Sequence, residues 1–247
     1  MCAELGIGTQ SNRVDIGVRV ELPAEIFKHL TDELYESKIV YKTEKYQDLV
    51  RTFCMNPKGA VVNENTNGIV TVNGHSYEDP ARQTENTNFA LLVSKHFTEP
   101  FKDSNGYGES IARLSNMLGG GVMVQRFGDI LDGKRTWQNE LAQSNVRPTL
   151  PDAVAGDITS AMPYRAMLNI INFIKAMDEV VPGFAAYETL LYSPELKFYS
   201  NRIAMDDALN TNVPGLHCLG DSSGWTRGLM MASAMGVLMG RRLADTL

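Results

Sequence analysis

Cys2, Cys54 and Cys218 are the three cysteines of the 247-residue chain. Their odd number and wide spacing suggest neither a disulfide framework nor a zinc site. Histidine is almost as scarce: His29, His75, His96 and His217 make four, none at metal-ligand spacing. Basic charge is in deficit, with 23 Lys and Arg against 29 Asp and Glu and a net charge of −6. With no basic run interleaved with aromatics, that balance argues against nucleic acid as a partner. No charged-then-apolar segment opens the chain, so no secretory signal is expected. Long hydrophobic runs are missing too. The uncharged stretch Gly228–Gly240 falls short of the ~20 residues a membrane crossing needs, and Arg241-Arg242 stop it. Together these absences set the expectation of a reduced, cytoplasmic protein without metal, nucleic acid or membrane partners.

What remains is ordinary globular material, 43% hydrophobic and 21% charged, long enough to bury a core as one large or two small domains. Gly6-Ile7-Gly8-Thr9-Gln10-Ser11 comes close to the dinucleotide fingerprint G-x-G-x-x-G. That fingerprint needs a strand before it and a helix after it. Here a strand follows instead, so the match is rejected.

Residues 14–21 alternate, with Val14, Ile16, Val18 and Val20 on one face and Asp15, Gly17, Arg19 and Glu21 on the other. Arg19, beside a glycine, either reaches a ligand or belongs to an exposed polar face. A helix over 24–35 is expected from Ile26, Phe27, Leu30 and Leu34. Residues 38–98 are expected to be β-structure, with Asn56-Pro57-Lys58-Gly59 as a hairpin-like turn, a strand over 68–73 and a buried strand over 89–94. Residues 107–118 predict an amphipathic helix with Ile111, Leu114, Met117 and Leu118 inward, capped by Gly119-Gly120-Gly121. The stretch from Met123 to Asn145 reads as loop with one short element, and 147–156 as a linker. The longest helix is expected over 157–181, its apolar side made by Met162, Ala166, Ile170, Phe173, Ile174 and Met177, with Pro163 near its start. Residues 188–203 return to β-structure, with Lys197, Tyr199 and Asn201 as a polar row.

The chain then reaches Gly215-Leu216-His217-Cys218-Leu219-Gly220-Asp221, a short buried strand leading into a glycine-rich turn with one acid. Arg227-Gly228-Leu229 stand where a helix should start. Free N–H groups and the positive end of the helix dipole favour an electronegative ligand there. No paired acids, Cys/His couple or Ser/His/Asp arrangement marks an acid–base or nucleophilic centre, so no catalytic residue is assigned.

With these strings in view, the chain resembles the C-terminal part of FAD-dependent dehydrogenases of the NAD(FAD)-utilizing group. The resemblance rests on Val14–Glu21, Thr52-Phe53-Cys54-Met55-Asn56-Pro57-Lys58-Gly59, Glu195–Ile203, and Pro214–Asp221 through Thr226–Leu229. It implies an α+β or α/β protein: a mixed-sheet, substrate-facing domain over 14–187, then a strand–turn–helix segment over 188–247 that completes an FAD-binding domain. The N-terminal half with the glycine fingerprint is absent, so a truncated flavoprotein fragment is expected. The cofactor implied is FAD, held by Gly220, Asp221, Arg227, Gly228 and Leu229. Arg19, Lys197 and Tyr199 are candidates for the flavin or substrate side. The partners implied are FAD and a small-molecule substrate, and self-association through the bare edge of strand 215–219 is expected. The alternative is a non-catalytic domain that folds by itself and binds a small ligand or a partner.

Overall fold

The computed structural model describes every residue except Tyr35, Glu99, Lys102, Thr246 and Leu247. A two-residue strand β1 (Thr9–Gln10) precedes the ten-residue β2 (Val14–Pro23), whose alternating valines and isoleucine match the pleat. Pro23 stops the ladder and stands as N-cap of helix α1 (Ala24–Thr31). Then come β3 (Val40–Lys42), β4 (Leu49–Asn56), β5 (Ala60–Thr66), β6 (Ile69–His75) and β7 (Asn86–Lys95). Helix α2 (Ser104–Gly119) leads to β8 (Met123–Arg126), the short helices α3 (Phe127–Leu131) and α4 (Gln138–Ala142), and β9 (Val154–Ala155). Helix α5 (Tyr164–Asp178), β10 (Leu190–Lys197), β11 (Arg202–Ile203) and α6 (Leu229–Ala244) complete the order. The result is an α+β fold around a mixed sheet.

The chain divides into two compact units. The larger comprises 15–94 and 107–197, and the smaller 1–14, 95–106 and 198–247. Thus β10, which sequence grouping attaches to the terminal segment, lies in the larger unit. There seven strands run in the order β3-β4-β7-β2-β10-β8-β9. β2 and β10 are antiparallel, Glu21 opposite Leu190 and Asp15 opposite Lys197, while β8 and β9 are parallel. One side of this unit is aromatic: Phe27, Phe89 and Phe184 lie with ring centroids 5.3–5.5 Å apart. Elsewhere the β5–β6 hairpin contributes Val61 and Val72 to a second cluster with Val124, Leu190 and Tyr192.

Several expectations meet corrections here. Both faces of β2 are buried, so Asp15, Gly17, Arg19 and Glu21 do not form an exposed polar face. Asn56–Gly59 make a turn, but β4 and β5 do not pair across it; β4 pairs with β3 and β7, and β5 with β6. Helix α1 ends at Thr31, leaving Leu34 exposed; Tyr35, the expected last residue, lies outside the described residues. On α2, Ile111 is buried, but Leu114, Met117 and Leu118 are exposed. Met123–Arg126, expected as loop, is a strand inside the sheet, because Val124 packs in the hairpin cluster and the strand pairs with β10. The helix expected over 157–181 is a 3-10 turn (Ile158–Ser160) followed by α5, with Pro163 as the N-cap. At 15 residues α5 is shorter than the 16-residue α2 and α6, though all six expected core residues on and before it are buried.

In the smaller unit β1 pairs with β11, Thr9 opposite Ile203. The expected strand 215–219 is not formed. Its backbone pairing is an isolated bridge between His217 and Asn210, and Leu216–Leu219 are only half-buried. Pro214-Gly215 turns the chain back on itself instead, with Leu216 N–H donating to the Val213 carbonyl. Without that strand, the self-association expected through its edge has no edge to use. Nor does the row Lys197, Tyr199, Asn201 exist as one face, since β10 ends at Lys197. Among the described residues no helix is long and apolar enough to cross a membrane.

Candidate functional site

The approach to α6 in the smaller unit is wound around one carboxylate. Gly220–Ser223 form a 3-10 turn. The chain then returns so that Asp221 accepts the Thr226 hydroxyl on Oδ1 at 2.8 Å and the Gly228 N–H on Oδ2 at 2.9 Å. The Gly228 N–H first, then the Thr226 hydroxyl and the Arg227 charge, hold the Asp221 carboxyl below its usual range. Gly228, the N-cap of α6, has φ +93° and ψ 163°, a conformation open in practice to glycine alone. A methyl group added at Gly228 would meet nothing within 4 Å. The helix start is therefore open in front. Leu229 and Met230 are 89% and 82% exposed, and the N–H groups of a first helical turn have no intrahelical acceptor.

Behind this start lies Tyr199. The guanidinium carbon of Arg227 stands 4.7 Å from the centroid of its ring, and Arg227 Nη1 donates to the Phe198 carbonyl at 2.9 Å. Arg13 is also 4.7 Å from that centroid and donates from Nη2 to the Tyr199 hydroxyl at 3.2 Å. The Asn12 side-chain amide ties the segment together, donating to the carbonyls of Ser200 and Gly224 at 3.0 Å each. The fold thus gathers Gly220, Asp221, Arg227, Gly228, Leu229 and Tyr199 in one unit and adds Arg13. No periodicity marks Arg13 in the sequence; it stands just before β2, and its long-range partner Tyr199 is invisible without the fold.

Arg19 and Lys197 belong to the larger unit and meet at Glu195. Arg19 and Glu195 are both fully buried. Nε of Arg19 donates to Glu195 Oε2 at 3.0 Å, and Nη2 to Glu195 Oε1 and Asn73 Oδ1, each at 3.2 Å. Nη1 donates to Asn88 Oδ1 at 2.8 Å and to the Cys54 carbonyl at 3.2 Å. A guanidinium has five N–H donors, and all are used inside the protein. Arg19 is a pin between β2, β4, β6, β7 and β10, with no donor left for a ligand. Lys197 Nζ lies 3.0 Å from Glu195 Oε1 and adds to the same buried charge cluster.

A second buried group on β2 is Glu21. It accepts hydrogen bonds from the Asn86 amide, the Thr149 hydroxyl and N–H, and the Tyr192 hydroxyl. Burial pushes its carboxyl above the usual range, against the pull of those four donors. A carboxyl raised by folding stabilises the fold below its unfolded pKa and loses that contribution as pH rises through the raised value. The stability of the wild type minus that of Glu21→Gln is therefore expected to fall from weakly acidic to neutral pH, as read from urea unfolding midpoints. A difference that rises or stays flat contradicts the assignment.

The larger unit also has an open hollow of about 590 Å³ lined by His75, Ser76, Tyr77, Glu78, Asp79 and Arg82. Arg82 stacks on Tyr77 at 4.5 Å, with His75 edge-on to the same ring at 5.1 Å. None of these residues stands out in the sequence, because they fall in a polar loop without periodicity. Among the described residues no group of His, Cys, Asp and Glu could hold a metal ion.

The larger unit is an α+β domain around a mixed sheet, and comparison with known proteins gives its family. Residues 13–197 match the family described as FAD-dependent protein, C-terminal domain-like, and the chain belongs to that family. It is also 28% identical to an uncharacterized protein of Clostridium beijerinckii over 93% of this chain. That alignment covers 46% of the relative, so the chain spans about half the length of the curated protein it matches. The family match ends with β10, and the helix start of α6 lies beyond it. The residues there fit one end of FAD: N–H donors with a positive dipole, and an apolar shelf from Leu229 and Met230, suit the electron-accepting ring. Among the described residues no strand–glycine turn–helix that would cradle a pyrophosphate is found.

Proposed function

We propose that this chain is the C-terminal part of an FAD-dependent oxidoreductase, a dehydrogenase acting on a small molecule, with the flavin ring against the start of α6. The family membership supports FAD, and the open helix start supports the ring end of it. When bound, flavin supplies the hydride chemistry. The task of this chain's residues is to bind and orient. Asp221 fixes the turn so that the Leu229 and Met230 N–H groups point outward, Gly228 keeps the approach free of side-chain atoms, and the helix dipole favours negative charge on the ring. Beyond the helix start, Met231, Val237 and Leu238 are exposed on α6 and are the surface on which the rest of such a flavoprotein packs.

The observation that carries this reading is the Asp221 clasp on the N–H of Gly228. It is tested by titrating FAD with the purified chain and following quenching of flavin fluorescence. Saturable quenching is expected, weakened about fivefold by Asp221→Ala, the loss expected when one capping contact worth ~1 kcal/mol is removed. No quenching and no thermal stabilisation by FAD, or titrations of wild type and Asp221→Ala that superimpose, would overturn it.

A further inference from the structure

The dipeptide Asn-Gly occurs three times in the chain, at Asn67-Gly68, Asn73-Gly74 and Asn105-Gly106. Such a pair is chemically labile, because glycine puts no side chain between its own nitrogen and the preceding carboxamide. The nitrogen attacks the carboxamide carbon wherever the backbone can bend and water reaches the pair. Surroundings therefore decide which of the three reacts.

Two of them are locked. The Asn73 carboxamide donates to Glu64 Oε1 at 2.6 Å, and accepts from Arg19 at 3.2 Å and from the Gly74 N–H at 2.8 Å. A methyl group at Gly74 would lie 2.2 Å from Asn56 Nδ2 and 2.3 Å from Arg19 Nη1 and Asn88 Oδ1. That site has no room to rearrange. Asn105 and Gly106 lie in the first turn of α2, where the helix fixes the backbone. The Gly106 N–H donates to Asp103 Oδ1 at 2.7 Å, and Asn105 Nδ2 to the Tyr199 carbonyl at 3.4 Å.

Asn67-Gly68 differs on each count. It is the turn of the β5–β6 hairpin, between the paired Thr66 and Ile69, and that hairpin is a sheet of two strands only. A ladder of this kind is marginal and opens from its tip. Both residues are exposed, and both have positive φ, +53° and +78°. A methyl group at Gly68 would meet nothing within 4 Å. Among the described residues no hydrogen bond holds the Asn67 carboxamide. The Gly68 N–H stays out of the ladder and donates to the exposed Asn65 side chain at 3.0 Å, a contact that opens with the tip.

We propose that Asn67 is a self-modification site, converted through a cyclic imide to aspartate and isoaspartate. The Gly68 nitrogen gives its proton to solvent and bonds to Asn67 Cγ. The Cγ–Nδ2 bond breaks, and ammonia leaves with a proton from solvent. Water then opens the ring. Attack at the side-chain carbonyl gives aspartate, and attack at the main-chain carbonyl gives isoaspartate, with the side-chain carbons spliced into the backbone. Nothing is oxidised or reduced, and a neutral carboxamide becomes a carboxylate. The site is separate from flavin binding and needs no cofactor.

The test is peptide mapping by mass spectrometry of the full chain after long incubation in mildly alkaline buffer. One arm holds the protein folded and the other holds it in guanidinium chloride. In the folded arm Asn67 is expected to convert at least about tenfold faster than Asn73 or Asn105, a barrier difference of ~1.4 kcal/mol. In guanidinium chloride that preference disappears, because only the dipeptides remain. Folded-state conversion of Asn73 or Asn105 as fast as that of Asn67 overturns the proposal. So does an Asn67 that converts only when unfolded, or a preference that persists in denaturant and so belongs to the local sequence.

Discussion

Arg19→Met lowers the unfolding free energy by about 3–5 kcal/mol, the cost of breaking a buried ion pair from one side. The loss is large because the methionine leaves more than Glu195 behind. Asn88 Oδ1, Asn73 Oδ1 and the Cys54 carbonyl also lose their Arg19 donors. Glu195 keeps Lys197 at 3.0 Å, which holds the penalty below that of a stranded carboxylate. Removing both charges, as Arg19→Met with Glu195→Met, is expected to cost less than the sum of the two single changes. That non-additivity is the signature of residues that act as a unit. Urea unfolding of the four proteins gives the cycle. A single-variant loss under about 1 kcal/mol, or additive losses, would show that the pin contributes little.

The second large effect is expected at Gly17, two residues before Arg19 on the same face of β2. A methyl group there would sit 1.8 Å from the Leu91 carbonyl oxygen and 2.8 Å from its carbon. Both are backbone atoms of β7, so no rotamer change relieves the clash and the two strands must part. Gly17→Ala is expected to cost at least about 4 kcal/mol, in the range reserved for disrupted cores. Gly236→Ala is the control. It lies in α6 with nothing within 4 Å of the added methyl, and should gain about 0.5–1 kcal/mol from helix propensity. Melting temperatures of the two variants decide the matter, and a Gly17→Ala protein that melts with the wild type contradicts the geometry.

These two sites mark where sequence reading succeeds and where it stops. The apolar alternation of Val14, Ile16, Val18 and Val20, the run Phe89–Val93 and the stripe Ala166, Ile170, Phe173 and Ile174 identify β2, β7 and the core side of α5, because packing and periodicity agree there. Alternation also implies that the opposite face meets water, and here it does not. The β5–β6 hairpin brings Asn73 to Arg19, and Thr149 and Tyr192 close on Glu21, so the polar residues of β2 are buried by elements whose positions no local pattern encodes. At the other end, Leu216–Leu219 have the composition of a strand, but a strand is a pairing, and its partner is not in the composition. The helix start at Gly228 was legible because it depends on local rules: a glycine, a free N–H and a nearby acid. The Tyr199 stack was not, because Arg13 and Tyr199 are 186 residues apart.

That separation has a consequence for how the molecule is made. The smaller unit draws on three stretches of chain, 1–14, 95–106 and 198–247, and its first strand pairs with Arg202–Ile203. During synthesis β1 leaves the ribosome long before β11 exists, and nearly the whole larger unit emerges in between. Through that interval β1 lacks its β11 partner, while β2 to β10 can already collapse around their phenylalanines. Pairing of such distant segments is slow to nucleate. Arg202–Ile203, translated long after β1, are therefore the residues that fix that strand in place.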